Sequence, residues 1–215
     1  MIGFDADDTL WINEDYYRET EKQYAGLLSE YGEEKEVMDA LFQTEMKNLE
    51  LFGYGIKPFM ISMIENALKM SAGRLPNSIT AKILDMGREM MSKPVEILEG
   101  VPEVLEALHK KYKLIVATKG DLLDQERKLK HSGLANYFHH IEIMSDKKES
   151  DYKKLISHLN ISPAEFLMIG NSMKSDIEPV VNIGGSAIHV PYKTTWIHES
   201  SGKPVDNDLY YKVEQ

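Results

Sequence analysis

The sequence predicts an α/β protein: a parallel sheet covered by helices, interrupted early in the chain by an inserted all-helical segment. Three observations lead there. Five short, mainly apolar runs have the length of buried strands: Met1-Ile2-Gly3-Phe4, Leu114-Ile115-Val116-Ala117, Ile141-Glu142-Ile143-Met144, Phe166-Leu167-Met168-Ile169 and Ser186-Ala187-Ile188-His189-Val190. Helical patterns at about residues 102 to 112, 121 to 132, 149 to 159 and 174 to 183 separate the later runs, and that alternation implies parallel strands with crossover helices. Residues 12 to 99 contain no strand-like run, only amphipathic stretches.

The first run passes directly into Asp5-Ala6-Asp7-Asp8-Thr9, which reads as a buried strand ending in a polar loop. Breaks near Gly32, Gly53 to Gly55 and Gly73 to Pro76 divide the next stretch into four helices. Spacings of three, four and seven give each one buried stripe. These are Tyr16, Tyr17, Tyr24, Leu27 and Leu28; then Val37, Leu41, Met46 and Leu49; then Met60, Ile64, Leu68 and Met70; then Ile79, Ile83, Met86 and Met90. Methionine packs irregular interiors, so these faces read as the core of a helical bundle. The expected organisation is a core of residues 1–11 and 100–215 around a helical domain of residues 12–99. No internal repeat or low-complexity segment interrupts it.

A chain of 215 residues, 42% hydrophobic and 28% charged, can bury a sizeable core. The absence of cysteine excludes a disulfide scaffold, a thiol nucleophile, an iron–sulfur cluster and cysteine-ligated zinc, and makes a reducing, cytoplasmic setting the expectation. With 35 acidic and 25 basic residues the net charge is -10, and the chain lacks the concentrated basic face that a nucleic-acid partner requires. Lys110, Lys111 and Lys113 read as a solvated helix end. No apolar run approaches the roughly 20 residues that span a bilayer, and acidic side chains stand where a secretion signal would be basic and apolar. Neither membrane nor leader is expected, and the mature chain is expected to start at the first strand.

Asp5 and Asp7 at the end of a buried strand carry a cost in desolvation and mutual repulsion that a divalent cation would offset. The bland alternative is a solvated turn. The buried strand before it, and a second acidic loop at Asp176, favour the cation.

At these residues the sequence resembles the haloacid dehalogenase superfamily of phosphohydrolases, with four segments in order across nearly the whole chain. Phe4-Asp5-Ala6-Asp7-Asp8-Thr9-Leu10 looks like motif one, whose first Asp attacks phosphorus and whose second is general acid and base. Ile115-Val116-Ala117-Thr118-Lys119-Gly120 looks like motif two, a strand ending in a phosphate-binding Thr. Lys147, about 24 residues before the last motif, fits motif three better than Lys148. Ile169-Gly170-Asn171-Ser172-Met173-Lys174-Ser175-Asp176 is similar to motif four, where acidic residues hold magnesium.

The resemblance implies a Rossmann-like core with an inserted helical cap, as in the phosphoglycolate phosphatase and phosphoglucomutase branch. It implies a magnesium-dependent phosphatase acting on a small soluble phosphomonoester, such as a phosphorylated metabolite, through an aspartyl phosphate on Asp5. Asp7 would be acid and base, and Thr118 with the backbone N–H groups of Lys119 and Gly120 would bind phosphate. Lys147 would neutralise phosphoryl charge. Asp5, the Asp7 carbonyl, Asp176 and Asn171 would hold Mg2+. Asn171 departs from the family, which often has Asp there; Asp8 departs from a common Gly.

A phosphotransferase or mutase is the nearest alternative, and a non-catalytic phosphate-binding regulator the more distant one. Dehalogenation is disfavoured, since it needs neither the second acid nor magnesium. His109, His158 and His189 lack metal spacing, while His198, with Trp196 and Glu199, follows the last strand and could approach the site. Trp11, Asn13 and Glu14 are candidates for specificity, each with packing or capping as the alternative.

Overall fold

The computed structural model describes residues 1–199 and 207–213. The chain divides into two compact units, Met1–Glu14 with Val95–Gln215, and Asp15–Pro94. These limits differ from the expected 12 and 99. Ile12 N donates to Glu96 O and Leu98 N to Leu10 O, so both connecting segments pair with each other inside the α/β unit.

Among the described residues the α/β unit has one six-stranded sheet: β1 (Ile2–Phe4), β2 (Leu114–Lys119), β3 (His140–Met144), β4 (Leu167–Gly170), β5 (Ser186–His189) and β6 (Tyr210–Lys212). All pairings are parallel and the spatial order is β3-β2-β1-β4-β5-β6, the doubly wound order of a Rossmann-like sheet. In the central register, Gly3 stands opposite Ile115 on one side and Met168 on the other.

Side chains alternate across this sheet. Leu114 and Val116 join Ile2, Phe4, Leu105 and Leu129 in one core, while Ile115 and Ala117 join Tyr152, Leu155, Ile156, Phe166 and Met168 in another. The first face is covered by α5 (Val101–Leu108) and α6 (Leu122–Ser132), the second by α7 (Glu149–His158) and α8 (Glu178–Asn182). Ile115 and Leu105 have no exposed surface. Burying an aliphatic side chain of that size contributes about 1.5 to 3 kcal/mol.

Two secondary-structure elements of the α/β unit depart from the sequence-based expectation. The strand β6 is unforeseen, because Tyr210-Tyr211-Lys212 is too short to show a period and gains its strand character from pairing with β5. The helix expected at 174 to 183 opens as a π turn, Met173–Ile177, before α8. π turns are uncommon and concentrate at functional sites.

The other unit contains α1 (Glu14–Leu27, entered from the α/β unit at Glu14), α2 (Glu34–Phe52), α3 (Ile56–Met70) and α4 (Asn77–Ser92). Its core includes Tyr24, Leu28, Val37, Leu41, Phe59, Met63, Ala67 and Ile83. On α3 the buried stripe lies one residue before the expected one: Phe59, Met63 and Ala67 are buried, whereas Leu68 is exposed. Buried polar groups decide this rotation. Tyr24 donates to Met63 O at 2.8 Å and accepts from Asn66 Nδ2 at 2.9 Å, and Asn48 Nδ2 donates to Ser62 Oγ at 3.2 Å. On α2, Thr44 and Asn48 complete the buried stripe where Met46 and Leu49 were expected.

Candidate active site

The polar loops that follow β1, β2, β3 and β4 meet at the C-terminal edge of the sheet, the edge where open α/β sheets bind ligands. Asp5 continues β1, its N–H donating to Ile169 O at 2.8 Å, and its side chain is buried. Lys147, from the loop after β3, sits between two carboxylates: Nζ is 2.5 Å from Asp5 Oδ1 and 2.6 Å from Asp176 Oδ1. Thr9 Oγ1 donates to Asp5 Oδ2 at 3.0 Å. Lys148 points elsewhere, with 73% of its side chain exposed and an ion pair to Asp146 at 2.9 Å.

One ammonium shared by two buried carboxylates leaves the site short of positive charge. Burial pushes the Asp5 carboxyl up to about 7, with Asp176 adding to the rise and Lys147 opposing it. For Lys147, burial favours the neutral form, but Asp176 and Asp5 outweigh it and hold the ammonium well above its usual range.

Asp7 has a different environment. Its Oδ1 accepts from Trp11 Nε1 at 2.8 Å and Lys128 Nζ at 3.0 Å, and its Oδ2 from Gln125 Nε2 at 2.7 Å. Burial would raise its pKa, but Lys128 and these hydrogen bonds prevail and lower it. Two residues apart, one aspartate is thus drawn toward its acid form and the other toward its anion. Asp8 adopts φ 63 and accepts the backbone N–H groups of Asn13 and Glu14 at 2.9 and 3.0 Å, which fixes the entry into α1.

Trp11, Asn13 and Glu14, considered for specificity, have work inside this loop. Trp11 is buried on Asp7, Asn13 Oδ1 accepts from Lys128 at 2.7 Å, and Glu14 is buried at the start of α1. Gln125 and Lys128, three residues apart on α6, were not anticipated. Their spacing places them on one helix face, but α6 carries polar residues all round, so periodicity does not reveal which of them turn inward.

Thr118, the penultimate residue of β2, is buried, its hydroxyl 3.4 Å from Lys119 O. Gly120 follows at φ 133, a conformation that favours glycine. The next helix starts at Leu122 and is capped by Asp121, whose carboxylate accepts from Asp124 N at 3.1 Å. This cap occupies Asp124 N and leaves the expectation for the Lys119 and Gly120 N–H groups, which precede it in the chain, as it was.

The β4 loop is held from within. Ser172 N donates to Asp176 Oδ2 at 3.0 Å, Asp176 N to Ser172 O at 2.9 Å, and Ser175 N to Ser172 Oγ at 3.0 Å. Gly170 is required by this closeness: a Cβ there would lie 2.3 Å from Asp176 Oδ2. Asn171 Oδ1 lies 3.4 Å from Thr9 Oγ1, and Asn171 O accepts from His189 Nε2 at 2.9 Å. His189 therefore braces the loop; His109 packs edge-on against Tyr137, 5.1 Å between ring centres. His198 meets Lys174 Nζ with both its ring Nε2, at 3.0 Å, and its carbonyl, at 3.1 Å. Its neighbour Glu199 pairs with Lys119 Nζ at 2.5 Å.

The donor set suits a hard divalent cation. Every donor is oxygen, and among the described residues the three carboxylates of Asp5, Asp7 and Asp176 pair with two ammonium groups, those of Lys147 and Lys128. Among the described residues no three His, Asp or Glu side chains form a metal cage by themselves. A backbone carbonyl such as that of Asp7 would have to join Asp5 and Asp176. No helix among the described residues is long and apolar enough to cross a membrane.

Comparison with known proteins bears on the family and the fold. A family model described as haloacid dehalogenase-like hydrolase matches residues 1–184. The chain is 25% identical to the N-acylneuraminate-9-phosphatase of Rattus norvegicus over 95% of its own length and 84% of that protein's. A haloacid dehalogenase-like family hydrolase from Xanthomonas campestris superposes with a TM-score of 0.85 at 38% identity, covering 96% of this chain and 85% of that one. The HAD-hydrolase YfnB from Bacillus subtilis, solved bound to magnesium, superposes at 0.62 with 17% identity, covering 88% and 87% of the two chains.

Proposed function

Since the chain belongs to the haloacid dehalogenase-like hydrolase family, we propose that it is a magnesium-dependent phosphatase of small phosphomonoesters that works through an aspartyl phosphate on Asp5. One observation carries the reading: a buried aspartate at a strand end, paired with Lys147 that also holds Asp176, and a second aspartate two residues on held by Lys128 and Gln125.

In this reading Asp5 attacks phosphorus and the leaving alkoxide takes a proton from Asp7; water then attacks the phosphorus of the aspartyl phosphate and gives a proton to Asp7, and the Asp5–phosphorus bond breaks to release phosphate and free the Asp5 carboxylate. Lys147 and Thr118 hold the phosphoryl oxygens, where a fixed cation in a buried site stabilises developing charge. Asp5, Asp176, the Asp7 carbonyl and Asn171 would hold magnesium, which would supply positive charge beside the Asp5 carboxylate. Lys128, Gln125 and Trp11 keep Asp7 ready as the base of the second step, and proton donation in the first step requires their grip to loosen. The cysteine-free composition supports a cytosolic setting.

The test is a panel of phosphorylated metabolites assayed for free phosphate with magnesium and with chelator. It should include the 9-phosphate of an N-acylneuraminate, after the name of the rat relative. Magnesium-dependent release is expected, abolished by Asp5→Asn. Undiminished turnover by Asp5→Asn would sink the covalent mechanism, and phosphoryl transfer to a second sugar without free phosphate would replace hydrolysis by transfer.

A further inference from the structure

Glu199 lies in a short 3-10 turn, Ile197–Glu199, beyond the last motif. It nevertheless reaches two motif loops at once. Its Oε1 accepts from Lys119 Nζ, at the end of β2, at 2.5 Å. Its Oε2 accepts from Ser175 Oγ at 2.6 Å and from Ser172 Oγ. Ser175 Oγ also takes a hydrogen bond from Lys119 Nζ at 3.0 Å. Only 11% of the Glu199 side chain and 16% of that of Lys119 is exposed.

These contacts lead to Asp176 in one step. Ser172 and Ser175 are the residues whose backbone and hydroxyl groups close the turn around the Asp176 carboxylate. Tyr152 secures the same turn from α7, donating to Ser175 O at 3.0 Å. A carboxylate orients a cation only as well as its own neighbours orient it, and such supporting partners commonly matter 10- to 100-fold in metal affinity.

We infer that Glu199 is a positioning residue for the metal site: its carboxylate locks the end of β2 to the Ser172–Ser175 turn and so fixes Asp176 for the cation. The inference rests on the reading of this edge as a magnesium-dependent site. Glu199 touches neither the cation nor the substrate in this account. It acts through the two serines, and Lys119 supplies the charge that keeps it ionised within the turn.

The experiment uses the full chain with magnesium as the probe, and reads the metal twice: by the magnesium concentration that gives half the rise in melting temperature, and by the concentration that gives half-maximal phosphate release from an aryl phosphate. Glu199→Ala should raise the melting-derived value about 10-fold. Glu199→Gln, which keeps the length and one acceptor oxygen while replacing the other by an NH2 donor, should raise it less. Ile83→Val in the core of the other unit supplies a destabilised control in which the value stays put.

A lower melting temperature in Glu199→Ala with an unchanged magnesium midpoint would mean a purely structural contact and overturn the inference. So would a wild-type protein whose melting ignores magnesium. A wild-type protein that magnesium stabilises but that releases no phosphate from any ester would overturn the phosphatase reading instead, and the Glu199 inference would still be decided by the melting titration.

Discussion

Lys147 and Lys148 are adjacent and chemically identical, yet one is buried between Asp5 and Asp176 and the other lies in solvent beside Asp146. The sequence narrows the choice by spacing alone. Which of two neighbouring loop residues turns inward depends on the path of the chain between β3 and α7. Lys147→Ala is therefore expected to lower turnover by about 100-fold or more at saturating magnesium. It should also destabilise the metal-free protein by about 3 to 5 kcal/mol, because two buried carboxylates lose their shared cation. Lys148→Ala should change stability by less than about 0.5 kcal/mol, as exposed ion pairs do. Steady-state kinetics and chemical denaturation of both variants check this; equal effects would remove the distinction that the geometry draws.

At the scale of elements, the link between β4 and α8 shows how local conformation serves the site. The chain leaves β4 through Gly170, closes the Ser172 turn, and passes into α8 through a π turn that carries Asp176. Gly170→Ala would press a methyl group onto the Asp176 carboxylate, whose nearest atom lies 2.3 Å away. A loss of about 1 to 3 kcal/mol is expected, as for other overpacked sites, together with a weaker magnesium-induced rise in melting temperature. Gly26→Ala is the counterpart. Gly26 lies within α1, and nothing stands within 4 Å of an added Cβ. That substitution should stabilise by about 0.5 to 1 kcal/mol through helix propensity. Melting of the two variants side by side tests both, and a neutral Gly170→Ala would show that the turn yields without cost.

For the whole molecule, the excess of negative charge has a consequence for stability against pH. The Asp5 and Asp8 carboxyls are each pushed by burial from an ordinary 3.8 to about 7, so between those values the folded protein holds more protons than the unfolded chain. Stability from these groups therefore falls as pH rises through that window. Asp7 and Glu199 are shifted down, Glu199 to about 2, and their stabilisation is complete above the ordinary carboxylate range. It fades only in acid. His189 and His198, held down by burial, gain stability as pH rises and offset part of the fall. The expected result in chelator is a melting temperature that drops between pH 5 and 8. Magnesium should reduce that drop by favouring the ionised Asp5. A melting temperature that climbs over this range in chelator would contradict the account of the charge cluster.

The alternation of strands and helices, the inserted helical stretch and the acidic strand ends were legible in the sequence because each is a local pattern: a period, a break, or a polar loop after an apolar run. The rotation of α3 was not, because Tyr24, Asn48, Ser62 and Asn66 choose the buried face through bonds between helices. Nor was β6, whose strand character comes from its partner β5. At the site, the sequence determined Asp5, Asp7, Thr118, Lys147 and Asp176 as candidates. Only the tertiary structure drew Gln125 and Lys128 to them, and gave Glu199, a neighbour of the suspected His198, its contacts with Lys119, Ser172 and Ser175. Their arrival depends on the strand order β3-β2-β1-β4-β5-β6, which brings loops distant in the chain to one edge, and no local pattern of residues encodes that order.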